Sequence, residues 1–266
     1  MYTRMEMRLC AGSILLILAA SSLSPAQSSK PVRNAGPPAK AKRADSTPPP
    51  LEKLTYGVEW RLIRAGTVTV QFWKSHSSVR LESAGIVSSL FKIEDLYTAN
   101  FDEPYCATSS VMNSAEGKRH HEARVTYDRA QDHAFFVERD LTKNKIVREA
   151  GTDIPNCVSD ISAALMRLRG MTLNPGESAK LAISDGRKSA SVEVEAQGRE
   201  EVKTPLGTYQ AIRYQADLLN GVVYSRKGRA FVWISDDARR LPVQMRLRMN
   251  FPVGTVTLQL DKEEHF

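Results

Sequence analysis

The chain has 266 residues, with 37 Lys and Arg against 30 Asp and Glu and a net charge of +7. Five Lys/Arg against one Asp fall in residues 27–50, whereas residues 51–266 hold 30 Lys/Arg against 28 Asp/Glu. The basic character is largely that of a tail, and the near-neutral remainder argues against a nucleic-acid-binding domain.

The first predicted element is a leader. Arg4 and Arg8 precede an apolar, small-residue run from Leu9 to Leu23, and Ser24-Pro25-Ala26 offers a small-x-small cleavage site. The run is too short for a spanning helix, which needs about 20 apolar residues. A signal peptide over residues 1–26 is expected, with an uncleaved anchor as the alternative. Cys10 stands at the front of the apolar run, the wrong place for lipid attachment. No later apolar run approaches membrane length, so the mature protein is expected to be soluble and exported, periplasmic or secreted. Residues 27–50 form a Pro-, Lys- and Ala-rich linker ending in Pro48-Pro49-Pro50, with too little apolar surface to offset its ordering entropy. Residues 51–266 are expected to make a single β-rich domain.

That domain begins with Leu54, Tyr56, Val58, Trp60 and Leu62 alternating with polar residues, then turns at Ala65-Gly66 into Val68, Val70 and Phe72. Strand patterns follow at 78–82, 93–101, 107–113, 119–127, 134–139 and 145–149. A helix is predicted from Ile161 to Arg169, capped by Ser159 or Asp160 and stopped by Gly170, with Ile161, Ala164, Leu165 and Leu168 on one face. Further strand patterns cover 178–183, 190–196, 209–217, 221–225 and 255–261. Between them Phe231 to Ile234 meets a Ser235-Asp236-Asp237 turn. Leu241, Val243, Met245, Leu247 and Met249 then alternate with Pro242, Gln244, Arg246, Arg248 and Asn250. Many short strands with frequent turns predict a mainly β fold, a curved antiparallel sheet or incomplete barrel with one amphipathic helix on its concave side.

With Cys10 removed, Cys106 and Cys157 remain, and an oxidising compartment favours a disulfide between them over two free thiols. His120-His121-Glu122 lacks metal-ligand spacing, and strand neighbours diverge, so surface or edge positions are expected and no metal or other cofactor is implied. Arg226-Lys227-Gly228-Arg229 suits gatekeeper charge on a hairpin. No nucleophile elbow or phosphate loop occurs, and no catalytic residue is nominated. The aromatic and Met set is the feature with functional promise. Trp60, Phe72, Phe135, Phe231 and Trp233, with Met245, Leu247 and Met249, are candidates to line a concave apolar cleft, against the alternative of a filled core.

Several segments in order resemble a bacterial family, the domain-of-unknown-function family 3108. They are Glu52-Lys-Leu-Thr-Tyr-Gly-Val-Glu-Trp with Ala65-Gly66, Ser162-Ala-Ala-Leu-Met-Arg-Leu-Arg followed by Leu173-Asn-Pro-Gly, and Thr204-Pro-Leu-Gly-Thr-Tyr-Gln-Ala. Trp233-Ile-Ser-Asp-Asp-Ala-Arg-Arg-Leu-Pro-Val and Gly254-Thr-Val-Thr-Leu complete the series. The resemblance implies an exported β-rich protein, with an open-barrel architecture similar to outer-membrane lipoprotein carriers, and brings no catalytic residues. The expected function is a non-enzymatic cell-envelope protein binding an apolar or amphiphilic ligand such as lipid or lipoprotein. The alternatives are an assembly protein acting through a sheet edge or the basic tail, and a hydrolase.

Overall fold

The computed structural model describes residues 48–216, 228–249 and 254–266. The leader, most of the linker and the 221–225 strand expectation lie outside them, as do Arg226 and Lys227. The described residues form β1 (Glu52–Trp60), β2 (Ile63–Phe72), β3 (His76–Ser83), α1 (Gly85–Leu90), β4 (Glu94–Asp102), β5 (Cys106–Glu116), β6 (Arg119–Asp128) and β7 (His133–Asp140). They continue with β8 (Lys145–Asp153), α2 (Ile161–Gly170), β9 (Ser178–Ser184), β10 (Ser189–Thr204), β11 (Gly207–Ala216), β12 (Gly228–Ser235), β13 (Pro242–Met249) and β14 (Thr255–His265).

All fourteen strands belong to one antiparallel sheet in the order β8-β7-β6-β5-β4-β3-β2-β1-β14-β13-β12-β11-β10-β9. Each neighbour is the next strand in the chain except for the pair β1 and β14, which joins the two ends of the domain. The strip is not closed, because β8 and β9 do not pair with each other. It curls far enough for its two ends to meet through other contacts. Ala107 N donates to Val158 O at 2.7 Å, Ser159 N to Ala182 O at 2.9 Å, and the Tyr127 hydroxyl to Ser184 O at 3.0 Å. Cys106 and Cys157 are disulfide-bonded, which pins the segment before α2 to the start of β5.

Alternation explains the curl. Leu54, Tyr56 and Val58 of β1 pair across to Val70, Val68 and Gly66 of β2, so one face is apolar along both strands. That face carries the largest buried cluster, including Tyr56, Val68, Phe72, Leu81, Leu241, Val256 and Leu260. A sheet this wide with one apolar face must wrap around that face or cover it.

Helix α2 does part of the covering. Asp160 caps it, its Oδ1 accepting from Ser162 N at 2.7 Å and Ala163 N at 3.2 Å. Ala164 and Leu168 pack with Leu181, Ile183, Val192, Val194, Ile212, Tyr214 and Ile234, while Leu165 and Met166 pack toward the first cluster. At the far end the Arg169 guanidinium donates to both oxygens of Glu52, at 2.6 and 2.9 Å, and to Arg240 O at 2.9 Å. The helix thus runs inside the curl from the β3 side, where Ser162 Oγ meets Ser77 Oγ at 2.7 Å, to β1 and the β12–β13 turn. It extends one residue past the expected stop, through Gly170. A second helix, α1, has no counterpart in the sequence reading; six residues are too few to display a helical period.

Candidate functional site

Strand β12 sets the geometry of a groove. Val232 and Ile234 pack on the cluster that holds α2, so Phe231 and Trp233 face the opposite way, onto the outer side of the sheet. Register pairs Trp233 with Arg213 of β11 and Gln244 of β13, and Phe231 with Gln215 and Arg246. A bulge in β10 between Ala196 and Gly198 brings Gln197 alongside them. With Arg248 these side chains, Gln244 excepted, line an open groove of about 400 Å³.

Polar contacts order the groove. Arg213 Nε donates to Gln197 Oε1 and Gln197 Nε2 to Gln215 Oε1, each at 2.8 Å. Glu200 Oε1 accepts from the Trp233 indole N–H at 2.7 Å and lies 3.3 Å from Arg213 Nη1. One carboxylate therefore offsets one of three guanidinium charges. The Arg246 guanidinium sits 5.1 Å above the Trp233 ring, and the Phe231 and Trp233 rings are 6.1 Å apart. No Ser, Cys, His, Asp or Glu is among the lining residues. The arrangement offers positive charge, amide hydrogen bonds and aromatic surface, and it suits binding better than acid–base chemistry.

Five of the seven aromatic and Met candidates, Trp60, Phe72, Phe231, Trp233 and Met245, belong to or pack against one buried cluster, as a filled core would have them. Phe231 and Trp233 come together on the outer side by strand parity, where Trp233 is buried at 4% exposure and both pack with the main cluster. Met245 pairs with Val232 and lies on the inner face, packed against the main core with Trp60. Phe72 is buried in that core, and Phe135 is exposed on β7. Met249 ends β13, and its side chain lies outside the described residues. The parity that separates Phe231 from Met245 depends on strand register across a turn, which the sequence does not display. Gln244, expected on the outer charged face, is buried beside the bulge between Trp233 and Ile234. The Ser-Asp-Asp turn is as expected: Ser235 Oγ bonds Asp237 Oδ1 at 2.7 Å, and Asp237 accepts from Arg239 N at 3.1 Å.

His121 corrects the expectation of a surface or edge histidine. It is buried on the inner face, with Nδ1 2.6 Å from Glu138 Oε1, Nε2 3.9 Å from Asp140 Oδ2, and Arg119 Nε 3.2 Å from Nε2. Nearby, Asp95 accepts from Ala115 N at 3.0 Å, and burial together with the Glu116 charge pushes its carboxyl up to about 6. Burial raises Asp160 as well, against the bonds from Ser162 and Ala163. Asp95 was not visible in sequence, because an acid in a β pattern looks solvent-facing until pairing is known, and Asp160 was expected as a cap but not as a buried acid. Glu52, Glu263 and His265 place ligand atoms within 4.8 Å of one another. Arg169 occupies both Glu52 oxygens and Arg239 lies 3.2 Å from Glu263, so the trio is part of an ion-pair network.

No curated protein matches the chain. Among solved structures it is similar to a beta-barrel-like protein of the family DUF1849 from Brucella abortus, at 9% identity and a TM-score of 0.55, covering 82% of this chain and 98% of that one. A DUF1089-family protein from Pseudomonas aeruginosa aligns at 12% identity and a TM-score of 0.38, over 69% of this chain and 90% of that one. The first likeness shows a shared fold, consistent with a wide sheet curled on itself. Residues 55–261, most of the chain, match a single family model, and the protein belongs to the family described as protein of unknown function DUF3108.

Proposed function

We propose that the chain is an exported, non-enzymatic envelope protein that binds an anionic amphiphile, a phosphate or carboxylate head on an acyl or aromatic body. The observation that carries this reading is the outer groove. Phe231, half-buried above the buried Trp233, supplies apolar surface beside Arg213, Arg246 and Arg248, while Glu200 offsets a single positive charge. The ligand's head lies toward Arg246 and Arg248, and its body lies against the Phe231 ring. The inner face, proposed from sequence as the cleft, is occupied by α2 and packed side chains.

Binding of a single-chain phosphatidylglycerol below its micellar concentration, followed by tryptophan fluorescence, tests the reading. Removing one charge-assisted contact is worth about 1.5–3 kcal/mol, or roughly 10- to 100-fold in affinity. Arg246→Glu is expected to weaken binding by at least that factor, and the zwitterionic choline analogue should bind more weakly than the glycerol lipid. Equal affinity of wild type and Arg246→Glu would refute the assignment of the groove.

A further inference from the structure

A different surface carries a second inference. At the end of the sheet where β1 turns into β2, four large apolar side chains stand in the open: Leu62 is 90% exposed, Ile63 45%, Ile86 72% and Leu90 69%. They are neighbours. Helix α1 packs on β2, Ala84 N donates to Ala65 O at 2.9 Å, and the two turns of α1 present Ile86 and Leu90 outward while Val87 is buried. The tip is also costly to the fold. Arg61 and Leu62 both adopt left-handed backbone, φ 50° and 67°, in a tight turn that ordinarily takes Asn-Gly. Each non-glycine residue held there costs on the order of 1–2 kcal/mol, and an exposed leucine returns nothing to the monomer.

Arg61 and Lys118 flank the tip, beside the Lys92–Glu94 ion pair. Arg61 lies with its guanidinium 4.8 Å from the Trp60 ring. Lys92 O accepts from Gly117 N at 2.8 Å, and a Cβ added at Gly117 would lie 3.1 Å from the Phe91 ring, so the turn carrying Lys118 abuts the end of α1. A convex apolar wedge with an aromatic residue at its base and Lys/Arg on its flanks matches the interface of an anionic bilayer, where apolar side chains enter the acyl boundary and cations stay among head groups.

We infer that the β1–β2 turn and α1 form a membrane-docking tip that seats the protein on an anionic lipid surface. The tip shares no residue with the groove, so the two assignments stand or fall separately. The test is flotation of the protein with vesicles of phosphatidylcholine alone and of phosphatidylcholine mixed with phosphatidylglycerol. Wild type is expected to float with the anionic vesicles and to be released by high salt. Leu62→Asp/Ile86→Asp/Leu90→Asp, whose sites are exposed, is expected to lose at least tenfold in partitioning while keeping its circular dichroism. Leu206→Asp, at an exposed leucine elsewhere, should float like wild type. Wild type that stays unbound, or a triple variant that floats equally well, overturns the inference. So does wild-type self-association that the triple variant abolishes, since the tip would then be a contact between copies of this chain.

Discussion

At the scale of single residues, function-bearing groups lie where a β pattern conceals them. Trp233 and Phe231 were legible as candidates because aromatics are few, but Arg246 and Arg248 read as ordinary outward charge until register set them beside those rings. Asp95 is a sharper case. It is buried, and its carboxyl is pushed up to about 6 by burial and by Glu116. A carboxyl raised in the folded state contributes stability below its unfolded value near 4, and that contribution is lost as pH rises through about 6. Asp95→Asn keeps an acceptor for Ala115 N without the buried charge. It is expected to raise unfolding stability by about 1–2 kcal/mol at pH 8 and to give no gain at pH 4. Chemical denaturation at the two pH values checks this; a variant less stable than wild type at pH 8 would mean that the Asp95 carboxylate is a favourable partner in the fold.

Among the elements, α2 was the most legible and its role only partly so. The cap residue, the apolar face and the Arg-rich C-terminal turn all follow from local spacing. Its seat inside the curl does not, because that depends on Glu52, which lies 117 residues away, and on the carbonyls of the β12–β13 turn. The disulfide was inferred from compartment and parity; its mechanical position required the fold. It joins the start of β5 to the segment leading into α2, and it encloses β5 to β8 in a loop of sequence separation 51. A loop of that size is worth about 4 kcal/mol in the chain-entropy model. The double variant Cys106→Ala/Cys157→Ala is expected to lose about that much, with amide exchange rising first between residues 157 and 163. Unchanged exchange there would show that α2 holds its place without the bridge.

For the whole molecule, the meander was readable from turn spacing, and the closing contact between β1 and β14 was not, since pairing of the chain's ends leaves no local mark. The open strip leaves β8 at one edge, with Ile146 and Val147 exposed. The opposite edge is engaged through Ser159 and Ile183. The inner face is filled by α2 and the core, and the groove opens on the outside, which shifts the expected ligand from a wholly apolar guest to one with an anionic head. The direct check is native mass spectrometry of the protein purified gently from its native cells, beside the variant Arg246→Glu/Arg248→Glu. The groove assignment requires wild type to carry an anionic lipid or other acidic amphiphile that the variant lacks. A wild type free of any such adduct, or a variant that carries the same one, would contradict it.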